Sequence, residues 1–555
     1  MRAHLHGKTN RELLTKRTKK MKKTMKQHSF TSQLKSLALV FGIALTFASC
    51  ANEDVAQNPT NPNEDNDKNL TTFVAGDEAK TRTSLNYNSS DFYWEAGDYI
   101  YVKDDDGVLQ KSSNAPTQKV ASFKYRVPGK FSAHTSYKVY YLGKNSGGNS
   151  VTISTNQSQT APDNTAHFGT AGDYGTATAN KVTGKQQFEF VLEHQVAYLV
   201  FQPYASNQIL QNCYLTKIEV TSNNDIAETY TVNPTTGALD ASAVTDGDKI
   251  VLTTSGSSSN PDGFPLKTNS ASIATNGAYM VIKPGTHTLK VRYWVKDVAT
   301  GTEGTITKAF KSFSYDENTY YDIDGNLNIR EYDGDHFYAW DAQEQYWKGY
   351  EWTKNLPAGI GQPTLKYGSP GFTISMNYPK NGDSRYYHKG GSPGVRFDAT
   401  QSCVDLPNAN EMSWYVMYGD SHWDNDELWV TMGHLHKGGT WLKKKSVLQA
   451  EHHYDTEKSA DGSTDMRITV KSYSKPNSSV ALSAADAYNY FYLPAFGYYP
   501  DARWINVGSG GEYWSSSCVG ISPYGLIFFA SFISVNGMGP SGGKRAQKFS
   551  DFGDN

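Results

Sequence analysis

The sequence predicts a mostly β chain, built from consecutive β-sandwiches and a compositionally distinct C-terminal third. Three observations carry this. Tyr, Gly and the β-branched residues are abundant, with 37 Tyr and 48 Gly in 555 residues, and aromatic and β-branched side chains favour pleated, half-buried surfaces. Short alternating runs recur with turn signals between them, the spacing of a sandwich. No long stretch shows a helical period.

The chain opens on a basic stretch around Lys16, Arg17, Lys19, Lys20, Lys22, Lys23 and Lys26. The apolar run Leu37–Phe47 follows, then Ala48-Ser49-Cys50. The run is too short for a bilayer and suits a signal-peptide core. Small residues directly before a cysteine make a lipoprotein cleavage box, so residues 1–49 are expected to be removed and Cys50 lipidated. The signal is long for its class; a true start at Met21 or Met25 brings it into range. A nucleic-acid-binding arm is the other reading of the basic stretch, and the export signal that follows argues against it.

The chain holds 53 basic and 55 acidic side chains; residues 1–49 take 11 and one of them, which leaves 42 against 54, a net charge of −12. Such a body has no bulk attraction for nucleic acid or anionic lipid. Attachment to the outer membrane therefore falls to acyl chains on Cys50. Residues 50–69 are Asn-, Asp-, Glu- and Pro-rich, with almost nothing to bury, and read as a disordered linker.

Residues 70–184 and 185–332 are assigned to two β domains. Thr71–Val74 reads as a short strand. Tyr99–Val102 alternates between two packed faces after a Gly97-Asp98 turn, and Tyr137–Leu142 follows. Residues 143–180, rich in Gly, Asn, Ser and Thr, read as long surface loops. Strands resume over 188–201, 213–220, 249–253 and 279–283. Pro284-Gly285 turns into 288–295, and Tyr320–Ile323 closes the region.

These residues carry a resemblance. Thr81-Arg82-Thr83-Ser84-Leu85, Phe92-Tyr93-Trp94-Glu95-Ala96-Gly97-Asp98 and Leu192-Glu193-His194 resemble, in order and spacing, the fimbrillin family of Bacteroides-type pilus-like lipoproteins, over about residues 70–330. The resemblance implies two consecutive β-sandwich domains behind a lipoprotein signal. It also implies strand exchange: an arginine-specific protease removes the first strand, and a strand from another pilus subunit fills the groove. Thr71–Val74 would be the removable strand and Arg82 the cleavage residue. Lys80 and Arg82 also read as ordinary edge-strand charges. Glu53 and Asp54 resemble the acidic surface-export signal of Bacteroides-group lipoproteins, and linker composition accounts for them equally.

After Asp333 aromatics and glycine rise. Asp405–Val416, Gly419–Asp424 and Met432–Gly439 form one block. Tyr492–Tyr498, Gly510–Ser517 and Tyr524–Phe529 form a second. These resemble the Fibrobacter-type major paralogous domain, which implies a mixed α+β, C-type-lectin-like module over 333–555. Relatives commonly close with an arginine-containing strand. Here the chain ends Gly542-Gly543-Lys544-Arg545 and a polar tail, so an altered last strand is expected.

Four cysteines are few for an exported chain of this length. With Cys50 lipidated, Cys403 and Cys518 fall in one domain and are a candidate disulfide, and Cys213 reads as a small buried hydrophobe. His422, Asp424, Asp426, His434 and His436 invite a metal reading through His-x-His spacing, but structural roles are favoured and no metal or cofactor is assigned. His452-His453 would face opposite ways in a strand. Asp104–Gly107 and Asp322–Asn326 lack the full calcium-loop pattern and read as turns. Ser515-Ser516-Ser517 is no nucleophile elbow. The chain is expected to be no enzyme. Tryptophans cluster in the C-terminal third, and Trp414, Trp423 and Trp514 are the candidate ligand-binding aromatics. Two readings follow. One is a surface lipoprotein in adhesion or pilus assembly, as anchor or tip. The other is a non-polymerising lipoprotein that binds a glycan or host surface.

Overall fold

The computed structural model describes residues 25–29, 70–76, 84–87, 91–351, 366, 374–390, 392 and 395–554. Cys50, Lys80, Arg82, Glu53 and Asp54 lie outside them.

The molecule is mostly β, in several sheets. The first region is an eight-stranded sheet, in the order Leu109–Lys111, Tyr101–Lys103, Ser136–Tyr141, Gly175–Lys181, Gln187–Phe190, Leu70–Ala75 and Phe123–Pro128, with Glu193–His194 on the Gly175 strand. Its far edges approach each other, where the Ser113 N–H donates to the Arg126 carbonyl at 2.7 Å. The rolled sheet encloses Phe73, Trp94, Tyr125, Val139, Tyr141 and Phe190. Burying each such aromatic contributes roughly 1.5–3 kcal/mol, which is what makes so short a set of strands cohere.

The second region is a sandwich. Thr319–Asn326, Ala197–Tyr204 and Ala278–Ile282 make one layer. Lys249–Thr253, Tyr214–Ser222, Gly285–Lys296 and Glu303–Tyr315 lie in the other. Val200, Phe201 and Met280 meet Ile218, Val220, Leu252 and Val291 between them. The Ala197–Tyr204 strand is buried on both faces over Ala197–Pro203, which is why it reads as a continuous apolar run. A strand from the basic stretch, Met25–Ser29, adds antiparallel to Thr319–Ile323.

Two expectations need correction. The boundary at 184/185 is not where the sheets divide, because Gln187–Phe190 and Glu193–His194 both pair within the first sheet. Residues 143–180 are not all loop. Gly175–Lys181 lies between Ser136–Tyr141 and Gln187–Phe190, and Ser150–Thr152 and Asn156–Ser158 pair with strands of the second region. Its small side chains disguise the Gly175 strand. Gly175 itself has no room for one, since a Cβ there would stand 2.7 Å from the Leu192 Cγ.

The C-terminal third is α+β. The helix Ala409–Tyr418 starts in a capping box: Asn408 accepts from the Glu411 N–H, and Glu411 accepts from the Asn408 N–H. It packs on the sheet Phe337–Tyr338, Lys544–Arg545, Gly510–Val519, Ser522–Phe529, Phe532–Gly537 and Tyr473–Pro476. The two ends of this region pair with each other, Phe337 with Arg545. The last strand is Lys544–Arg545. Arg545 is fully buried and lies 4.3 Å over the Phe496 ring, with Nη1 donating to the Asp333 carbonyl at 2.9 Å.

His436 is stacked on Trp429 at 4.8 Å between ring centres, and its buried Nε2 has no partner among the described residues. Burial first, then His434 and Lys366, push its pKa down to about 3. The unfolded imidazole titrates near 6.5, so protonation favours the unfolded chain below that pH. The C-terminal region should lose up to about 1.4 kcal/mol per pH unit from pH 6.5 downward through this residue. Denaturant titrations of the parent and His436→Phe across pH 4–7 measure it: the variant's curve should be flatter.

Candidate functional site

The strand Leu70–Ala75 is interior to its sheet. It runs parallel to Gln187–Phe190, with Thr72 opposite Gln187 and Ala75 opposite Phe190. On its other side it is antiparallel to Phe123–Pro128, with Leu70 opposite Pro128. Phe73 and Ala75 are fully buried. The Phe73 ring stacks on Phe188 and meets the Phe131 edge, each at 5.1 Å. The next residue still belongs to the ladder, since the Gly76 N–H donates to the Phe190 carbonyl at 3.0 Å. Without this strand, Phe123–Pro128 is cut off from Gln187–Phe190. A slot remains with unpaired backbone on both walls and an aromatic pocket at the Phe73 position. A second extended chain would satisfy both.

The motif residues that suggested the family are built into the adjoining core. Trp94 is fully buried against Tyr125 at 5.4 Å and Tyr141 at 5.9 Å. The buried Asp98 accepts from the Glu95 N–H at 2.7 Å and the Tyr141 hydroxyl at 3.1 Å, which closes the turn. His194 is buried, with Nδ1 2.8 Å from Asp173 Oδ1, and the Tyr198 hydroxyl donates to that oxygen at 2.9 Å. This triplet ties the last strand of the first sheet to the first strand of the sandwich.

The aromatics expected to bind ligand are core residues. Trp414 and Trp423 are 8% exposed and Trp514 is 1% exposed. Their indole N–H groups are also committed, to the Lys458 carbonyl at 2.8 Å, Asn425 Oδ1 at 2.5 Å and the Tyr338 carbonyl at 2.7 Å. A ring packed on both faces has none left for a sugar. Cys403 and Cys518 share a buried cluster but stand as separate thiols. The Asp341 N–H donates to Cys403 Sγ at 3.3 Å, Cys518 Sγ donates to the Gly520 carbonyl at 3.2 Å, and burial pushes both thiols up to about 12. Cys213 is buried, as a small hydrophobe would be.

The histidine and aspartate set is dispersed. His422 Nδ1 meets the Val480 carbonyl at 2.8 Å, Asp424 pairs with Arg292 at 2.9 Å, and Asp426 lies 3.5 Å from Lys437. Among the described residues no three His, Cys, Asp or Glu side chains are grouped to hold a metal. In Asp104–Gly107 the carboxylates serve the backbone. Asp104 accepts from the Asp106 and Val108 N–H groups and Asp105 from those of Ser132 and Ala133.

One site escaped the sequence reading. A cavity of about 420 Å³ lies between the second sandwich and the C-terminal region. Lys290, Arg292 and Lys308 come from the Gly285–Lys296 and Glu303–Tyr315 hairpin, Arg330 from the crossing strand, and Lys444 from the C-terminal region. Asp424 is the acid in its lining, with Trp441, Tyr488 and Tyr490 beside it. The alternation Lys290-Val291-Arg292 places two cations on one strand face. That was visible in sequence; the other contributors are brought in by topology.

No family model matches the chain, and no curated protein does. Solved structures show local likeness at low scores. A candidate cell adhesion protein from Bacteroides uniformis is 18% identical, over 44% of this chain and 88% of its own, with a TM-score of 0.25. The fimbrial anchor protein Mfa2 from Porphyromonas gingivalis is 14% identical, over 42% and 80%, with a TM-score of 0.19. A fimbrial protein from Bacteroides ovatus is 11% identical, over 85% and 97%, with a TM-score of 0.22.

The pairing of Phe73 makes Phe73→Ala expensive. It should cost about 3–5 kcal/mol, as large core truncations do, read as a lowered denaturation midpoint of the first region. Unfolding without reductant should expose three alkylatable thiols at Cys213, Cys403 and Cys518. Mass spectrometry finding only one would mean that Cys403 and Cys518 are joined.

Proposed function

We propose that the chain is a surface lipoprotein of the fimbrillin type, tethered to the outer membrane through Cys50 and serving adhesion or pilus assembly as an anchor or tip component. The observation that carries this reading is the interior first strand. Leu70–Ala75 is held on both sides by backbone pairing and plugged by Phe73, and Arg82 follows within a few residues. Strand removal there would leave a slot whose two walls demand an extended chain, and a neighbouring subunit can supply one. The lipoprotein box before Cys50 supports delivery to the surface.

The anchor or tip role is preferred over the shaft for a steric reason. Three strands of the C-terminal region, His422–Thr431, His434–Lys443 and Tyr490–Pro494, continue a sheet of the second sandwich, and a body of that size crowds repeated stacking. A net charge of −12 for the chain from Cys50 onward leaves pilus subunits and surface ligands, not nucleic acid, as the partners. In this proposal the C-terminal region is a lectin-like display module.

Immunogold labelling of purified fibres, with antibody against residues 333–554, tests the role. Label should fall at fibre ends or at the cell surface where fibres root. Label along the whole length would overturn the anchor or tip assignment. Fibres without label, together with an intact lipid-modified Cys50 N-terminus on every molecule, would overturn pilus membership and leave a monomeric binder.

A further inference from the structure

We propose that the cavity between the second sandwich and the C-terminal region is a binding site for an acidic sugar, one bearing a carboxylate or sulfate. The inference stands apart from fibre membership, because it concerns a pocket in the single chain.

The charge of the cavity is the first argument. Lys290, Arg292, Lys308, Arg330 and Lys444 line it against the single lining carboxylate of Asp424. Glu427 lies fully buried beneath and is paired with Arg330 at 2.5 Å. Asp424 is itself engaged, accepting from Arg292 Nη2 at 2.9 Å and from the Trp441 indole at 3.2 Å. A cationic excess has therefore been concentrated in one pocket of an otherwise acidic body.

Two of the cations, Lys308 and Arg292, are also incompletely satisfied. Lys308 forms no hydrogen bond or ion pair with the described residues. Burial, then the Arg330 guanidinium beside it, push its ammonium down to about 8. The Arg292 Nε is buried and has no acceptor among the described residues. A half-buried ammonium with no hydrogen-bond partner and a buried guanidinium N–H with no acceptor are unfavourable, and a bound anion would satisfy both through charge-assisted hydrogen bonds.

The remaining lining selects a sugar over a bare anion. Tyr488 is 45% exposed, and the ammonium groups of Lys311 and Lys444 lie 4.6 and 5.2 Å from its ring centre. The exposed part of the ring can pack against a pyranose, while the two ammonium groups standing over the ring hold its acidic substituent. A cavity of about 420 Å³ lies in the range of small-molecule sites. It is far larger than a sulfate ion needs, and its position at a domain interface is a common one for such sites.

The test is calorimetric titration of the purified full chain with glucuronic acid, N-acetylneuraminic acid and galactose 6-sulfate. Galactose, sodium acetate, sodium sulfate and an aspartate-rich peptide serve as comparators. At least one acidic sugar should bind, and galactose should not. Lys308→Gln should weaken binding tenfold or more, and Lys308→Arg should restore most of it. Tyr488→Ala should weaken the sugar several-fold while leaving any sulfate binding unchanged. Equal affinity in the parent and Lys308→Gln would overturn the site. Acetate or sulfate binding as tightly as the sugars, or the peptide binding more tightly, would overturn the sugar assignment. Lys308→Gln keeps a polar side chain at this half-buried position, and an unchanged denaturation midpoint in it separates a loss of binding from a loss of fold.

Discussion

Glu427 is the joint on which the arrangement of the molecule depends. Its backbone pairs with Thr305, the bridge by which the sheet of the second sandwich continues into the C-terminal region. Its fully buried carboxylate accepts from Arg330 Nη1 at 2.5 Å, from the Thr307 hydroxyl at 2.6 Å and from the Thr307 N–H at 3.2 Å. One side chain thus binds the long hairpin, the crossing strand and the C-terminal sheet together. Removing one partner of such a buried pair typically costs about 3–5 kcal/mol, because the other charge is left behind in low dielectric. The guanidinium of Arg330 is also held over Trp441 at 5.2 Å and Tyr492 at 5.0 Å. The joint fixes the wall of the cationic cavity, so fold and pocket share one electrostatic origin.

Much of the strand pattern was legible in sequence, because period-two alternation needs only local information. Leu70–Ala75, Ser136–Tyr141, Tyr214–Ser222, Lys249–Thr253 and Gly285–Lys296 all fall where the alternation or turn signals put them. Gly175–Lys181 did not, since its Thr, Ala and Asn residues carry no apolar period. It is a strand because it pairs with neighbours on both sides, and only Gly175, against Leu192, has no room for a side chain. Tertiary context overrode composition.

The sites were less legible than the strands, for a different reason. A tryptophan-rich sequence does not say which faces of the rings are spent. Trp414 and Trp514 serve the helix and sheet of the C-terminal region, and the half-exposed ring at the cavity belongs to Tyr488, in an alanine-rich stretch with no period of its own. The cations gather from four separated lengths of chain, and only the Lys290 and Arg292 pair shares a strand. The motif that suggested a resemblance, by contrast, was readable as letters but not as roles. Its Trp94, Asp98 and His194 are packing and hydrogen-bonding residues of the core and seam.

The interior first strand has a kinetic consequence. Leu70–Ala75 leaves the ribosome or the export channel first among the strands of its sheet, yet it pairs from Thr72 to Gln187 and from Thr72 to Arg126. The Phe123–Pro128 partner emerges midway through the sheet, but Gln187–Phe190 is more than 110 residues downstream, and closing so long a loop is slow. The first strand is therefore left with one open side until Gln187–Phe190 arrives. Whatever extended segment is nearby in that interval competes on equal chemical terms with the chain's own N-terminus. Its advantage is only proximity: a tethered strand at high effective concentration.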